Sequence, residues 1–128
     1  MPSRISQWTL DVHDVERMAG FWAAALGYRM DRGEDGSAKL YPPEDAGPDV
    51  LTVWLQNTDT AKPVKNRGHL DLRPTDGDVE AEVDRLLALG ARHVDVGQRA
   101  DDPFVVLADP EGNEFCVLRR DPLRRPRY

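Results

Sequence analysis

The chain has 128 residues, 14.4 kDa, with 40% hydrophobic and 31% charged residues, the balance of one globular domain with a core of its own. Its formal net charge of -6 argues against nonspecific binding to nucleic-acid phosphates, and no apolar run reaches the roughly 20 residues of a membrane span. Met1-Pro2-Ser3-Arg4 lacks the apolar core of a signal peptide and the single cysteine, Cys116, cannot close an internal disulfide, so a cytoplasmic protein is expected.

In chain order, Ile5 to Val12 alternates with period two and predicts a strand, with Trp8, Leu10 and Val12 on one side and Gln7, Thr9 and Asp11 on the other. Asp14 is a natural N-cap. Val15, Met18, Phe21, Trp22, Ala25 and Leu26 then recur at helical spacing until Gly27 stops them. Short strands are expected at Tyr28 to Asp31 and Ala38 to Tyr41, separated by the turn Gly33-Glu34-Asp35-Gly36. The proline-broken stretch 42–48 cannot continue a sheet ladder and reads as a loop. Val50 to Gln56 resumes the strand pattern, with Thr52, Trp54 and Gln56 on its mixed face. Residues 58–66 read as a polar connector.

The second half repeats the first. Arg67 to Arg73 alternates, with Leu70 and Leu72 opposed to His69, Asp71 and Arg73. A helix is expected from Asp78, carrying Val79, Val83, Leu86, Leu87 and Leu89 and ending at Gly90. Strands at Ala91 to Val96, Phe104 to Ala108 and Glu114 to Arg119 complete the unit, with a turn at Asp109-Pro110-Glu111-Gly112-Asn113. Asp14-Val15-Glu16 opens the first helix as Asp78-Val79-Glu80 opens the second, and Leu26-Gly27 closes it as Leu89-Gly90 does. Such duplication predicts an α+β fold of two tandem βαβββ modules, residues 4–57 and 67–119, forming a curved mixed sheet around a cleft. The arginine-rich residues 120–128 are expected to form a solvated tail.

The βαβββ order taken twice, the run from Asp14 through Phe21-Trp22 to Leu26-Gly27-Tyr28, and Asp109 to Asn113 before the last strand resemble the vicinal oxygen chelate superfamily. That superfamily includes glyoxalase I, bleomycin-resistance proteins, extradiol dioxygenases and fosfomycin-modifying enzymes. The resemblance runs from about Ile5 to Leu118 and is strongest to small glyoxalase-like members. It implies a homodimer and, in the enzymes, a divalent metal held by His, Gln or Glu that binds two neighbouring substrate oxygens as a Lewis acid. The matching positions are Gln7, Gln56, His69 and Cys116. Cys116 departs from the pattern, because a glutamate is expected there. Glu114 lies two residues earlier on the same face.

These residues give the candidate site. His69 and Glu114 are the catalytic candidates, and Gln7, Thr9, Asp11, Trp54, Gln56, Asp71 and Cys116 the ligand-binding ones. Gln7 and His69 are the metal candidates. Gln7, His69, Trp54 and Cys116 are expected to face one cavity. Cys116 also reads as a small buried hydrophobe and Asp71 as the partner of Arg73 or of a neighbouring strand, while Trp8 and Trp22 read as packing and His13 and His93 as surface residues. The favoured reading is a small-molecule binder with a degenerate metal site, similar to bleomycin-resistance proteins. It needs no cofactor, no nucleic acid and no membrane. The alternatives are a lyase, isomerase or dioxygenase using Zn, Ni, Mn or Fe on a substrate with vicinal oxygens, and a metal-free acid-base enzyme built on His69.

Overall fold

A computed structural model describes residues 2–121; the arginines expected in the tail at 124, 125 and 127 lie outside the described residues. The chain divides into two compact units between Ala61 and Lys62. Each is a βαβββ module with one four-stranded mixed sheet and one helix.

In module one the elements are β1 (Gln7–Val12), α1 (Val15–Leu26), β2 (Arg29–Arg32), β3 (Ala38–Tyr41) and β4 (Thr52–Asn57). Asp14 caps α1 by accepting the Arg17 N–H at 3.1 Å, which satisfies one of the donors a helix N-terminus leaves over. Gly27 ends the helix in the left-handed region at φ 69°, where a Cβ is disfavoured. The sheet order is β1-β4-β3-β2, with β1 parallel to β4 and the other pairs antiparallel. Alternation puts Val12, Ala38, Leu40, Val53 and Leu55 into the core with Met18, Ala19, Phe21 and Trp22 of α1, all buried. Trp22 lies edge-on to Trp8 at 5.2 Å and to Phe21 at 5.1 Å, a preferred aromatic geometry. The packing role read for both tryptophans therefore holds.

Module two repeats the plan with β5 (Leu70–Leu72), α2 (Val79–Leu89), β6 (Arg92–His93), β7 (Phe104–Ala108) and β8 (Glu114–Leu118), in the order β5-β8-β7-β6. Asp78 caps α2 through the Ala81 N–H at 3.1 Å, and Val83 and Leu86 pack under the sheet with Leu107, Phe115 and Val117. Two strands of this module are less than half as long as the alternation predicts. β5 keeps only three residues because its partner segment is Phe115–Val117 and Pro74, just beyond it, has no N–H for a ladder. β6 keeps two, since Asp95 and Gln98 side chains take the N–H groups of Gly97 and Val96 in a local turn. The outcome is the expected α+β fold, with two four-stranded mixed sheets. No helix among the described residues is long and apolar enough to cross a membrane.

Candidate functional site

In module one, the register sets Gln7 beside Thr52, Thr9 beside Trp54 and Asp11 beside Gln56, with Lys39 across from Trp54 on β3. Residues paired in this way share a sheet face. All five module-one candidates, Gln7, Thr9, Asp11, Trp54 and Gln56, therefore stand together on the face turned away from α1. Gln7 is their hub. Its Oε1 accepts from Lys39 Nζ at 2.5 Å and from Thr52 Oγ1 at 3.0 Å, while its Nε2 donates to Thr9 Oγ1 at 3.4 Å. The Lys39 ammonium also sits 5.7 Å from the Tyr41 ring centroid, within cation-π range. Trp54 is half-buried, with its ring edge close to Gly33.

In module two, Asp71 lies directly across from Cys116 in the parallel β5-β8 pair. His69 precedes Asp71 by two residues, and its Nε2 lies 3.1 Å from Asp71 Oδ1. One ligating atom from each of His69, Asp71 and Cys116 falls within 4.8 Å of the others. His69 and Asp71 remain open to solvent, whereas Cys116 is 7% exposed. Asp71 thus pairs with His69 and hydrogen-bonds Cys116 on the neighbouring strand, which fits the neighbouring-strand alternative and not the Arg73 one. The Arg73 guanidinium points to Asp121, 3.5 Å away. The Cys116 thiol is pushed up to about 11 by burial first, then by the negative charge and hydrogen bond of Asp71, with Lys65 pulling the other way. At neutral pH it is a protonated thiol, unlike the activated cysteines of nucleophilic enzymes.

Glu114 shares the Cys116 face by alternation but is held elsewhere. Its Oε1 meets Lys62 Nζ at 2.8 Å and its Oε2 accepts the Asn66 N–H at 3.3 Å. Burial would raise its pKa, but the Lys62 hydrogen bond, two backbone N–H groups and the Lys62 charge outweigh that, and the carboxyl lies below its ordinary value. The turn before β8 supports this arrangement. Asp109, fully buried, accepts from the N–H groups of Glu111 and Asn113, and the Asn113 side chain accepts from Asn66 Nδ2 at 2.9 Å. Lys62 and Asn66, from the stretch read as a plain connector, are therefore part of the constellation. Lys39 was missed as well. The only sequence signal was a lysine at alternating position in a short strand, and two polar residues shortly before His69.

Elsewhere in module two, a groove of about 510 Å³ is lined by His93, Val94, Gln98, Arg99, Phe104 and Val106, among others. His93 is exposed, as expected. The His13 ring contacts the Thr58 carbonyl oxygen at 3.3 Å.

Residues 7–118 match the family model described as Glyoxalase-like domain. Solved structures with the same fold include the hypothetical protein SA1046 from S. aureus, with 22% identity, a TM-score of 0.61, and coverage of 92% of this chain and 97% of that one. The fosfomycin resistance protein FosX from Listeria monocytogenes, in a mutant form complexed with Mn(II) and 1S,2S-dihydroxypropylphosphonic acid, is 15% identical with a TM-score of 0.72, covering 95% of this chain and 94% of that one. A glyoxalase/bleomycin resistance protein from Albidiferax ferrireducens T118 is 17% identical with a TM-score of 0.62, covering 91% and 98%. No curated protein sequence matches the chain.

Proposed function

The chain belongs to the glyoxalase-like domain family of the vicinal oxygen chelate superfamily, and from that premise we propose that it binds a small, oxygen-rich anionic molecule on the polar sheet face of module one. The observation that carries this reading is the pair of donors on Gln7 Oε1, Lys39 Nζ at 2.5 Å and Thr52 Oγ1 at 3.0 Å. A metal taking Gln7 as ligand would need that oxygen and would lie beside an ammonium, so like charges would oppose it. Glu114 likewise has both oxygens engaged. The ligand set that the superfamily resemblance implies is thus a poor fit to Gln7 and Glu114.

What this face offers instead is a cation, hydroxyls and an indole. Lys39 has three ammonium donors, and the hydroxyls of Thr9 and Thr52 and the Trp54 ring lie in register beside it. A few convergent polar groups with an aromatic surface are what small-ligand sites use. The dihydroxypropylphosphonic acid held by FosX is one such molecule, and it makes phosphonates and hydroxy acids the compounds to screen first. Aromatic and cationic ligands complete the panel. The test is quenching of tryptophan fluorescence in wild type and Lys39→Met. An anionic ligand that binds wild type and loses about tenfold or more in Lys39→Met, the cost of one charge-assisted hydrogen bond, supports the reading. No binder in the panel, or equal binding by the variant, overturns it.

A second reading has one observation behind it. The 3.1 Å contact between Asp71 and His69 Nε2 can fix the imidazole and leave Nδ1 for acid-base work. Glu114, held below its ordinary pKa, is less suited to that role. Turnover of a bound ligand that His69→Ala abolishes without loss of binding is the result that supports catalysis; unchanged turnover removes it.

A further inference from the structure

The residue that breaks the expected ligand pattern, Cys116, has a carboxylate supplied from the neighbouring strand. Because β5 and β8 run parallel with Asp71 opposite Cys116, the two side chains stand side by side on one sheet face. His69 reaches the same point from two residues upstream. The missing glutamate oxygen at position 116 is in this way replaced by an oxygen of Asp71, and the sulfur adds a soft donor. We infer that His69, Asp71 and Cys116 form a zinc-preferring site contained within module two.

The geometry and the donor chemistry agree. Zinc takes imidazole nitrogen and carboxylate oxygen at about 2.0–2.2 Å and thiolate sulfur at about 2.3 Å, most often as a tetrahedron. Donors on such a tetrahedron are separated by less than twice those lengths. Tetrahedral donors at those lengths stand about 3.3–3.8 Å apart, so the three ligating atoms, which lie within 4.8 Å of one another, close on the ion by side-chain rotation. Three protein donors leave the fourth position for water or a ligand oxygen, the arrangement of open zinc sites. The Cys116 thiol gives up its proton to solvent as the ion binds, and the resulting thiolate and the Asp71 carboxylate together balance the dication. The half-open His69 and Asp71 side chains give the ion a path in. Thiolate among the donors selects zinc over Mn(II), which prefers oxygen ligands. No residue of module one takes part, so the inference stands or falls separately from the anion-binding reading.

The test uses untagged, full-length protein stripped with a chelator, then titrated with Zn(II), Co(II) and Mn(II). One equivalent of zinc is expected. Co(II) should give the visible bands of a tetrahedral ion together with a near-ultraviolet sulfur-to-cobalt charge-transfer band, and Mn(II) should bind far more weakly. Losing a group that merely supports a metal ligand typically costs about 10–100-fold in metal affinity, so losing a direct donor should cost more than about 100-fold. Cys116→Ser should remove the charge-transfer band, and Asp71→Asn should weaken binding while keeping that band. Asp71 is exposed, so its variant retains the fold even where substitution of the buried Cys116 does not. Absence of zinc binding, a cobalt spectrum with no sulfur band, Mn(II) binding as tight as zinc, or affinity unchanged in Asp71→Asn would each overturn the inference.

Discussion

Replacing Lys62 with methionine removes the ammonium that faces Glu114 at 2.8 Å and leaves the carboxylate in place. The side chains are 20% and 8% exposed, so the pair is closer to a buried one than to a surface one. Breaking a buried pair by deleting one partner costs about 3–5 kcal/mol, because the other charge stays desolvated. The Asn66 N–H still reaches Oε2, and Lys62 keeps a fifth of its surface in water, which brings the expected cost to about 2–4 kcal/mol. For a chain of this length that is a fall of about 6–16 °C in Tm.

The pH dependence adds a second check. In wild type the Glu114 carboxyl is held below its ordinary value. A depressed folded-state pKa stabilises the fold above the unfolded-state pKa, and the contribution disappears as pH falls through the folded-state value. In Lys62→Met burial meets less opposition, so Glu114 takes up its proton at higher pH than in wild type. The stability gap should be widest near neutral pH and should narrow on acidification. Urea unfolding of wild type, Lys62→Met, Glu114→Gln and the double variant across this range measures it, and the double variant should cost less than the sum of the singles. A loss below about 0.5 kcal/mol, the range of an uninvolved surface position, or a gap that widens in acid, would refute the reasoning.

Three further outcomes test the packing and the caps. Trp22→Ala, at 1% exposure and in contact with Trp8 and Phe21, should cost about 3–5 kcal/mol by urea denaturation; a loss under about 1 kcal/mol would mean that Trp22 is not central to the module-one core. Gly27→Ala should cost about 1 kcal/mol from backbone strain alone, since φ is 69° and an added Cβ meets nothing within 4 Å; an unchanged midpoint would contradict the left-handed cap. Burial raises the Tyr28 pKa, and its hydroxyl donates to the Leu51 carbonyl at 2.8 Å. The unfolded tyrosine then ionises first, so stability should fall as pH rises beyond about 10, and Tyr28→Phe should flatten that slope in unfolding curves taken at alkaline pH.

The helix ends were legible because capping is chemistry between near neighbours. Asp14 and Asp78 each bond an N–H three residues on, and Gly27 and Gly90 each adopt positive φ. The face assignments were legible too, since alternation alone separates Gln7, Thr9 and Asp11 from Trp8, Leu10 and Val12. What alternation could not supply was partnership. Lys39 and Gln7 are 32 positions apart and meet only through the ladder from β3 through β4 to β1. Asn66 and Glu114 are 48 apart. Asp71 shows the same gap on a smaller scale: His69 and Arg73 flank it symmetrically along the strand, and the choice between them depends on Asp121, which draws Arg73 away. Cys116 was read as buried, and it is, but its neighbour across the sheet is fixed by register, which no single strand encodes.

The parallel pairing of the first and last strands in each module has a consequence for synthesis. β1 is an edge strand with one neighbour, and that neighbour is β4, ending at Asn57. As the chain emerges from the ribosome, Gln7–Val12 has no sheet partner until the whole module has followed it out. Residues 70–72 wait in the same way for 115–117. Closing such loops costs chain entropy before any ladder bond repays it, and pairing of this kind slows folding. Each helix, by contrast, is complete within a dozen or so residues of its cap. Until β4 follows, the nascent module is therefore a helix with β2 and β3 and an unpaired first strand, and its sheet face of Gln7, Thr9 and Asp11 is assembled last.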